Sequence, residues 1–381
     1  MAQWRAPTSL ENAMLTGIVE IPQDVYLSAL QFNIRTGGNL MVFGQAGIGK
    51  TEMAQQAAQD AGFEVYYLNL SVLEAPDLLG LPLITDDKSV DYARPKFLPI
   101  EGKVDKKVVL LVDEIDKAKP ELQNPLLELF QSHTLNGTKL HIQAIIATGN
   151  LPDEGAHSQP VSHALTNRCK VYKLTHSFEP WREWAQNVGL NAFIIGFLSK
   201  NQEFLSRPPV EGDPTAYCRP SPRAWSAAAR DLDNTTSKDT VDFQTLLVAG
   251  RVGAEGATKF RVWLEHYRVL EPIIDALVNK GEAPSMHSFS IDKQMVCAIG
   301  SVAEISKLAR LNGADKAGSK GWQDTQKAAK NVFSWLKVLP TEFQIAAVKS
   351  SLNMETIIKF QLTKIPEVVE IYKSIRTVLS N

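Results

Sequence analysis

The fold of this chain is limited most tightly by a short apolar run that leads directly into a glycine-rich loop. The run is NLMVF, residues 39–43, and the loop is GQAGIGKT, residues 44–51. A helix-forming stretch, TEMAQQAAQDAG, follows and ends at Gly62. A buried strand, a tight turn and a helix in this order are typical of one repeat of a parallel sheet covered by helices.

Four more β-rich runs follow before residue 175. They are FEVYYLNL, VVLLVDE, HIQAIIATGN and CKVYKL, and a helical pattern, KPELQNPLLELFQ, lies between the second and the third. Buried apolar runs separated by helices indicate a parallel sheet with helices on both faces. The sequence therefore predicts an α/β fold for residues 1–177.

The pattern changes after residue 178, where apolar residues recur at helical spacing. Stretches such as PWREWAQNVG and SPRAWSAAARDLD predict an all-α region over residues 178–283. Longer amphipathic stretches, among them SIDKQMVCAIGSVAEISKLARLNG, predict a further helical region over residues 284–381. We expect three domains with these boundaries.

Cysteine content and hydropathy bear on where the chain works. Cys169, Cys218 and Cys297 are far apart and form no CxxC pair, which indicates free thiols in a reducing compartment. The first residues lack the apolar core of a signal peptide. The sequence contains no run of about 18 apolar residues, the length that a membrane-spanning helix needs. We expect a cytoplasmic protein. Its net charge of -2 gives no general attraction for nucleic acid.

The glycine-rich loop fits the pattern GxxxxGK[ST], which binds phosphates. Its glycines let the backbone turn its N–H groups inward, and the positive end of the following helix adds to that cradle. We expect Lys50 to reach the outer phosphates of a nucleotide and Thr51 to ligate Mg²⁺. The predicted nucleotide-binding residues of the loop are Gly44, Gln45, Ala46, Gly47, Ile48, Gly49, Lys50 and Thr51.

Two further strand ends carry polar groups that suit the same site. The apolar strand VVLLV ends in Asp113 and Glu114, and two adjacent carboxylates at a buried strand end are costly unless they serve a function. We expect Asp113 to bind Mg²⁺ and Glu114 to polarise the attacking water. Asn150, at the tip of AIIATGN, is placed to orient that water.

In this order, GQAGIGKT, VVLLVDEID and ATGN resemble the motifs of the AAA+ ATPases. Other stretches are similar to the MoxR branch of that superfamily, including CbbQ-like members. APDLLGLPL resembles the segment that opens an inserted hairpin, ALTNRCKVYKL resembles the arginine-finger segment, and SPRAW matches the second sensor. The resemblance covers roughly residues 15–280 and leaves out the last hundred.

This resemblance implies roles that the residues alone do not. Arg168 would be an arginine finger acting on the nucleotide of a neighbouring subunit, and Arg223 would contact the nucleotide of its own chain. A finger acting in trans requires a homo-oligomer, which we expect to be a hexameric ring. The resemblance also implies ATP with Mg²⁺, ATP hydrolysis, a chaperone-like action on a protein partner, and a separate adaptor protein with a von Willebrand A domain.

The sequence leaves two alternative functions open. A nucleic-acid motor or helicase loader is supported only by the basic bias of the last 91 residues, which hold 13 Lys and Arg against 8 Asp and Glu. A structural protein that binds ATP without turnover is opposed by the presence of Glu114, Asn150, Arg168 and Arg223, because a degenerate enzyme is expected to have lost at least one. Because the net charge is -2 and this basic bias is the only support for a motor, nucleic-acid binding is not indicated.

Overall fold

The computed structural model describes residues 17–151, 159–207, 218–236, 238–285, 289–313, 316–352 and 354–379. The chain divides into two compact units at Ser177 and Phe178. The first unit is α/β and the second is entirely helical. This arrangement confirms the predicted fold class, a parallel sheet flanked by helices and followed by an all-α region.

The described residues of the α/β unit form ten strands. In chain order they are β1 (Val19–Ile21), β2 (Asn39–Phe43), β3 (Val65–Asn69), β4 (Leu81–Ile84), β5 (Val90–Ala93), β6 (Val108–Asp113), β7 (Thr134–Leu135), β8 (Thr138–Lys139), β9 (Ile142–Gly149) and β10 (Lys170–Leu174). Six of them form one sheet in the order β1-β10-β2-β9-β6-β3, and all of its pairings are parallel. The carboxyl ends of its strands therefore share one edge.

Helices cover both faces of this sheet. They are α1 (Gln23–Thr36), α2 (Lys50–Asp60), α3 (Ala75–Leu79), α4 (Pro120–Ser132) and α5 (His163–Thr166). Successive strand residues point to opposite faces, so Leu40 and Val42 pack with α1 and α2, whereas Met41 and Phe43 pack with α3 and α4. The strand runs identified in the sequence are thus buried on both sides.

Two small hairpins interrupt the alternation of strands and helices. β4 and β5 pair antiparallel directly after α3, which is where the resemblance of APDLLGLPL implied an inserted hairpin. Its base requires a glycine, because Gly80 has a φ of +84° and a Cβ there would lie 2.3 Å from the Ala93 carbonyl oxygen. β7 and β8 form the second hairpin. The sequence patterns did not indicate this second hairpin.

Ten α-helices are seen in the described part of the second unit. They are α6 (Phe178–Asn187), α7 (Ala192–Lys200), α8 (Pro222–Asp233), α9 (Val241–Val252), α10 (Ala254–Asp275), α11 (Ile291–Leu311), α12 (Lys320–Leu336), α13 (Thr341–Ser351), α14 (Met354–Lys359) and α15 (Pro366–Leu379). α10 continues into a π-helical turn over Ala276–Lys280. Each of the helical stretches quoted from the sequence forms a helix here.

A single hydrophobic core runs through this helical unit. It joins Phe197 and Trp225 from one part of the chain to Ile299 and Phe333 from the other. Helices assigned from the sequence to a lid region and to a C-terminal region therefore pack on the same core. The division of residues 178–381 into two domains at residue 283 stays a proposal.

The cysteines are free thiols, as the sequence predicts. Burial raises the pKa of the Cys169 and Cys297 thiols to about 12, which keeps both in the unreactive neutral form. Within the described ranges, we find no helix whose length and apolar character would let it cross a membrane.

Candidate functional site

The glycine-rich loop lies at the carboxyl edge of the sheet, between β2 and α2. Gly47 and Gly49 adopt positive φ angles of 82° and 96°, which other residues rarely reach. Two α1 side chains hold the loop and the start of α2 in place: Gln23 Nε2 donates to the Ile48 carbonyl at 3.2 Å, and the Tyr26 hydroxyl donates to the Lys50 carbonyl at 3.2 Å. The loop is therefore anchored to the body of the unit.

Lys50 is buried in the middle of this loop, with only 8% of its surface exposed. Its ammonium group donates to the carbonyl oxygens of Gly44 and Gln45, the latter at 2.9 Å, and to Asn150 Oδ1 at 3.0 Å. These three acceptors are neutral oxygen atoms. The Lys50 ammonium therefore adds positive charge to the donors of the loop, where a phosphate is favoured.

The Asp113 carboxylate accepts hydrogen bonds from four donor groups. Thr51 Oγ1 lies 3.2 Å from each of its oxygens, and Tyr67 donates to Oδ2 at 2.8 Å. The buried hydroxyl of Thr148 and the backbone N–H of Glu114 donate to Oδ1. Burial, followed by the bond to Asp113, raises the pKa of Tyr67 to about 12, so its phenol remains a donor at neutral pH.

Glu114 turns away from β6 in a left-handed conformation with a φ of 56°. A short 3-10 turn, Ile115–Lys117, follows, and Lys117 Nζ lies 3.2 Å from Glu114 Oε1. The same turn buries Asp116, whose Oδ1 accepts the Asn150 N–H at 2.9 Å. The acid pair and Asn150 are therefore connected through this turn.

The structure brings four predicted residues into direct contact: Lys50 with Asn150, and Thr51 with Asp113. Glu114 follows Asp113 at the same strand end. The loop and the acidic strand end therefore lie side by side. The catalytic and binding roles assigned to these residues stay predictions.

Arg168 lies at the opposite edge of the sheet. It precedes β10 by two residues, and its carbonyl accepts a hydrogen bond from Asn39, the first residue of β2, at 3.1 Å. A five-residue strand spans roughly 16 Å, so the length of β2 separates Arg168 from the loop of its own chain. A role for Arg168 at a phosphate therefore requires the nucleotide of another subunit.

Arg223 belongs to the helical unit. It is exposed at the second position of α8, two residues after Ser221, which caps that helix by accepting the Ala224 N–H at 3.1 Å. Its contact with a nucleotide stays a prediction.

The residues at the carboxyl edge fit a magnesium-bound triphosphate. A phosphate needs donors and positive charge, which the positive-φ glycine turn, the start of α2 and the Lys50 ammonium supply. Mg²⁺ prefers oxygen ligands and is held by few protein groups beside phosphates and water. Thr51 Oγ1 and the Asp113 carboxylate form such an oxygen pair. In the described ranges, no group of three or more His, Cys, Asp or Glu side chains is placed to hold a metal ion.

Sequence reasoning missed several side chains that support the site. Thr148 is fully buried beside Asp113, and its signal was a lone hydroxyl in an otherwise apolar strand. Tyr67 and Tyr26 gave no signal, since aromatic residues in a strand or helix usually belong to the core. Gln131, which binds the Arg168 side chain, sits at the exposed end of a helix and gave none either.

Residues 39–169 match the family model described as AAA domain (dynein-related subfamily). The matched range begins at β2 and includes the loop, the acid pair, Asn150 and Arg168. The α/β unit is therefore similar to this family over the matched range. No curated protein matches the sequence.

Solved structures with similar chains include a presumed ATPase of Cytophaga hutchinsonii, 15% identical, with a TM-score of 0.32 over 97% of this chain and 93% of that one. A RuvB mutant of Thermotoga maritima is 14% identical, with a TM-score of 0.34 over 70% and 78%. Hsp104 of Saccharomyces cerevisiae in complex with ADP is 20% identical, with a TM-score of 0.29 over 45% and 40%. At these scores, no property of those proteins is carried over to this chain.

Proposed function

We propose that this chain is a MoxR-type AAA+ ATPase that hydrolyses ATP at the subunit interfaces of a homo-oligomeric ring. The observation that carries the proposal is the meeting of the buried Lys50 ammonium, the Thr51 hydroxyl and the Asp113 carboxylate at one sheet edge. These groups suit, respectively, the outer phosphates and the metal ion of a nucleotide. The family match over residues 39–169 supports the same assignment.

Each residue has a separate task in this proposal. Lys50 binds the phosphates, while Thr51 and Asp113 hold Mg²⁺, which when bound neutralises phosphate charge. Glu114 accepts a proton from the attacking water, and Asn150 orients that water. The left-handed turn at Glu114 lets its side chain leave the line of β6, and Asp116 fixes the backbone of Asn150.

Arg168 completes the site of the adjacent subunit. Its position at the far edge of the sheet supports action in trans, and a finger of this kind contributes about 10³–10⁵ in rate. Arg223, on α8, is assigned to the nucleotide of its own chain. In this proposal the need for a neighbour at each site is met by a closed ring, for which we expect six subunits.

Nucleotide binding and turnover by the purified chain test the proposal. We expect Lys50→Ala to abolish Mg-ATP binding, and Glu114→Gln to bind Mg-ATP normally while hydrolysing it about 10²–10⁴-fold more slowly, because only the proton acceptor is lost. The exposed Lys106 provides a matched control, and Lys106→Ala should behave as wild type. Equal turnover by wild type and Glu114→Gln contradicts the role of Glu114.

The work that hydrolysis drives is, in this proposal, the remodelling of a protein partner in the cytoplasm, with a von Willebrand A domain protein as adaptor. The support is the MoxR-like pattern in APDLLGLPL and SPRAW, together with the hairpin β4–β5 that follows the first of these stretches. The Glu114→Gln chain, held with ATP and recovered from extracts of its native cell, should carry the adaptor. Recovery of nucleic acid without a protein partner would support the motor alternative.

A further inference from the structure

We propose that Gln131, near the end of helix α4, is the positioning residue of the arginine finger. The inference rests on the proposed function, since it takes Arg168 to act on a neighbour's nucleotide. It assigns a task to a residue for which neither the sequence motifs nor the family match supplies one.

The first observation is the way the Arg168 side chain is held. Gln131 Oε1 accepts from Arg168 Nη2 at 2.7 Å and from Nε at 3.3 Å, and the Ala164 carbonyl accepts from Nη1 at 2.6 Å. All three guanidinium nitrogens therefore donate to fixed acceptors. A long flexible side chain at a surface loses much of its rotamer freedom when it is bound in this way.

The backbone at Arg168 is fixed as well. Asn39 Nδ2 donates both to the Arg168 carbonyl, at 3.1 Å, and to the Phe130 carbonyl, at 2.5 Å. Phe130 and Gln131 are consecutive residues of α4. The end of α4, the start of β2 and the finger therefore form one hydrogen-bonded corner of the unit.

Helix α4 connects this corner with the turn that carries Glu114. The helix begins at Pro120, shortly after the turn that carries Glu114, and ends at Ser132, next to Gln131. Thirteen helical residues span about 20 Å, which carries the chain from the acid-pair side of the sheet toward the finger side. Leu122, Leu126 and Leu129 bury one side of the helix in the core and so fix the place of Gln131 near its end, while Pro125 interrupts the helix hydrogen bonding between them.

The contact also distinguishes Gln131 from a residue that only stabilises the fold. Gln131 is exposed, and its side chain adds no buried apolar surface. Its loss leaves the core of α4 unchanged but lets the guanidinium move. A misplacement of about 1 Å at a reacting centre can cost 10²-fold in rate, so the defect belongs to turnover and not to nucleotide binding.

The test compares steady-state ATP hydrolysis and Mg-ATP binding in single and double variants of the full chain. We expect Gln131→Ala to lower kcat by about 10–100-fold with unchanged Mg-ATP affinity. In an Arg168→Ala background the same change should have no further effect, because the positioning residue then has nothing to position. Gln131→Glu, which keeps an acceptor oxygen, should retain turnover near that of wild type.

A matched control is Gln59→Ala, which removes an exposed glutamine from the penultimate position of α2 and should leave turnover unchanged. If Gln131→Ala lacks a cooperative thermal transition, Gln131→Met replaces it, since methionine keeps the chain length without the acceptor. Turnover of Gln131→Ala within twofold of wild type, or losses that multiply with those of Arg168→Ala, would overturn the inference. Wild-type turnover in Lys50→Ala, by contrast, would overturn the proposed function itself.

Discussion

At the scale of single residues, the site is organised around one carboxylate. Asp113 accepts hydrogen bonds from Thr51, Thr148, Tyr67 and the Glu114 N–H. An oxygen pair from Thr51 and Asp113 can hold a metal ion only if the carboxylate keeps one orientation. Thr148 and Tyr67 supply that orientation, as outer partners of metal ligands commonly do.

Replacement of Thr148 by valine tests this role. Thr148→Val keeps the buried shape but removes the donor to Asp113, and we expect the Mg²⁺ concentration for half-maximal ATP turnover to rise about 10-fold or more. This Mg²⁺ concentration is measured by titrating ATP turnover with Mg²⁺ at saturating ATP. Thr36→Val is the control, since the Thr36 hydroxyl is exposed and donates only within its own helix, to the Phe32 carbonyl. An unchanged Mg²⁺ requirement in Thr148→Val would show that Asp113 does not depend on this contact.

The sequence predicts residues whose local pattern would be unfavourable for folding unless it served a site. Glycines before Gly-Lys-Thr and two acids at the end of an apolar strand are of this kind, and both were predicted. Gln131 was invisible because its partner, Arg168, lies 37 positions away, and no short-range pattern records such a contact. Thr148 was a marginal case, a single hydroxyl among apolar neighbours.

At the scale of elements, the five strand runs noted in the sequence all form strands of the parallel sheet. β1 escaped notice because three residues are too few to show a period, and it is recognised only by its pairing with β10. The hairpin β7–β8 is hidden for the same reason. Helices with strong apolar periodicity were predicted from the sequence. The packing of the second unit's helices on one core was not, because it depends on contacts between residues far apart in the chain.

Helix packing in the second unit can be tested at one close contact. Gly196 of α7 faces α11, and a Cβ there would lie 2.7 Å from Ile299 Cγ2. Gly196→Val overpacks this contact, and we expect it to lower the free energy of unfolding by about 1–3 kcal/mol, measured by thermal or denaturant unfolding. Gly250→Ala, on α9, meets no atom within 4 Å and should be neutral or slightly stabilising.

The result bears on the domain division proposed from the sequence. Gly196 lies in the proposed lid region and Ile299 in the proposed C-terminal region. Loss of stability in Gly196→Val, with a single unfolding transition for the unit, would show that the two regions unfold together. An unchanged stability would mean that the α7–α11 contact does not hold them to a common core.

At the scale of the whole molecule, the proposed reaction needs more than one chain. The loop, the acid pair and Asn150 lie at the carboxyl edge of the sheet, and Arg168 lies at the amino edge. No rearrangement of side chains alone brings these two edges together, since a strand of fixed length separates them. In the proposed function, a complete site therefore consists of the carboxyl edge of one subunit and the amino edge of the next.

The most direct measurement is ATP turnover by mixed assemblies of Lys50→Ala and Arg168→Ala chains. Each variant alone should be inactive or nearly so, the first without a phosphate site and the second without a finger. In an equal mixture, about a quarter of the interfaces join an intact site to an intact finger, and turnover should recover in proportion. Mixed assemblies, verified by mass, that show no recovery would contradict hydrolysis at a site shared between subunits.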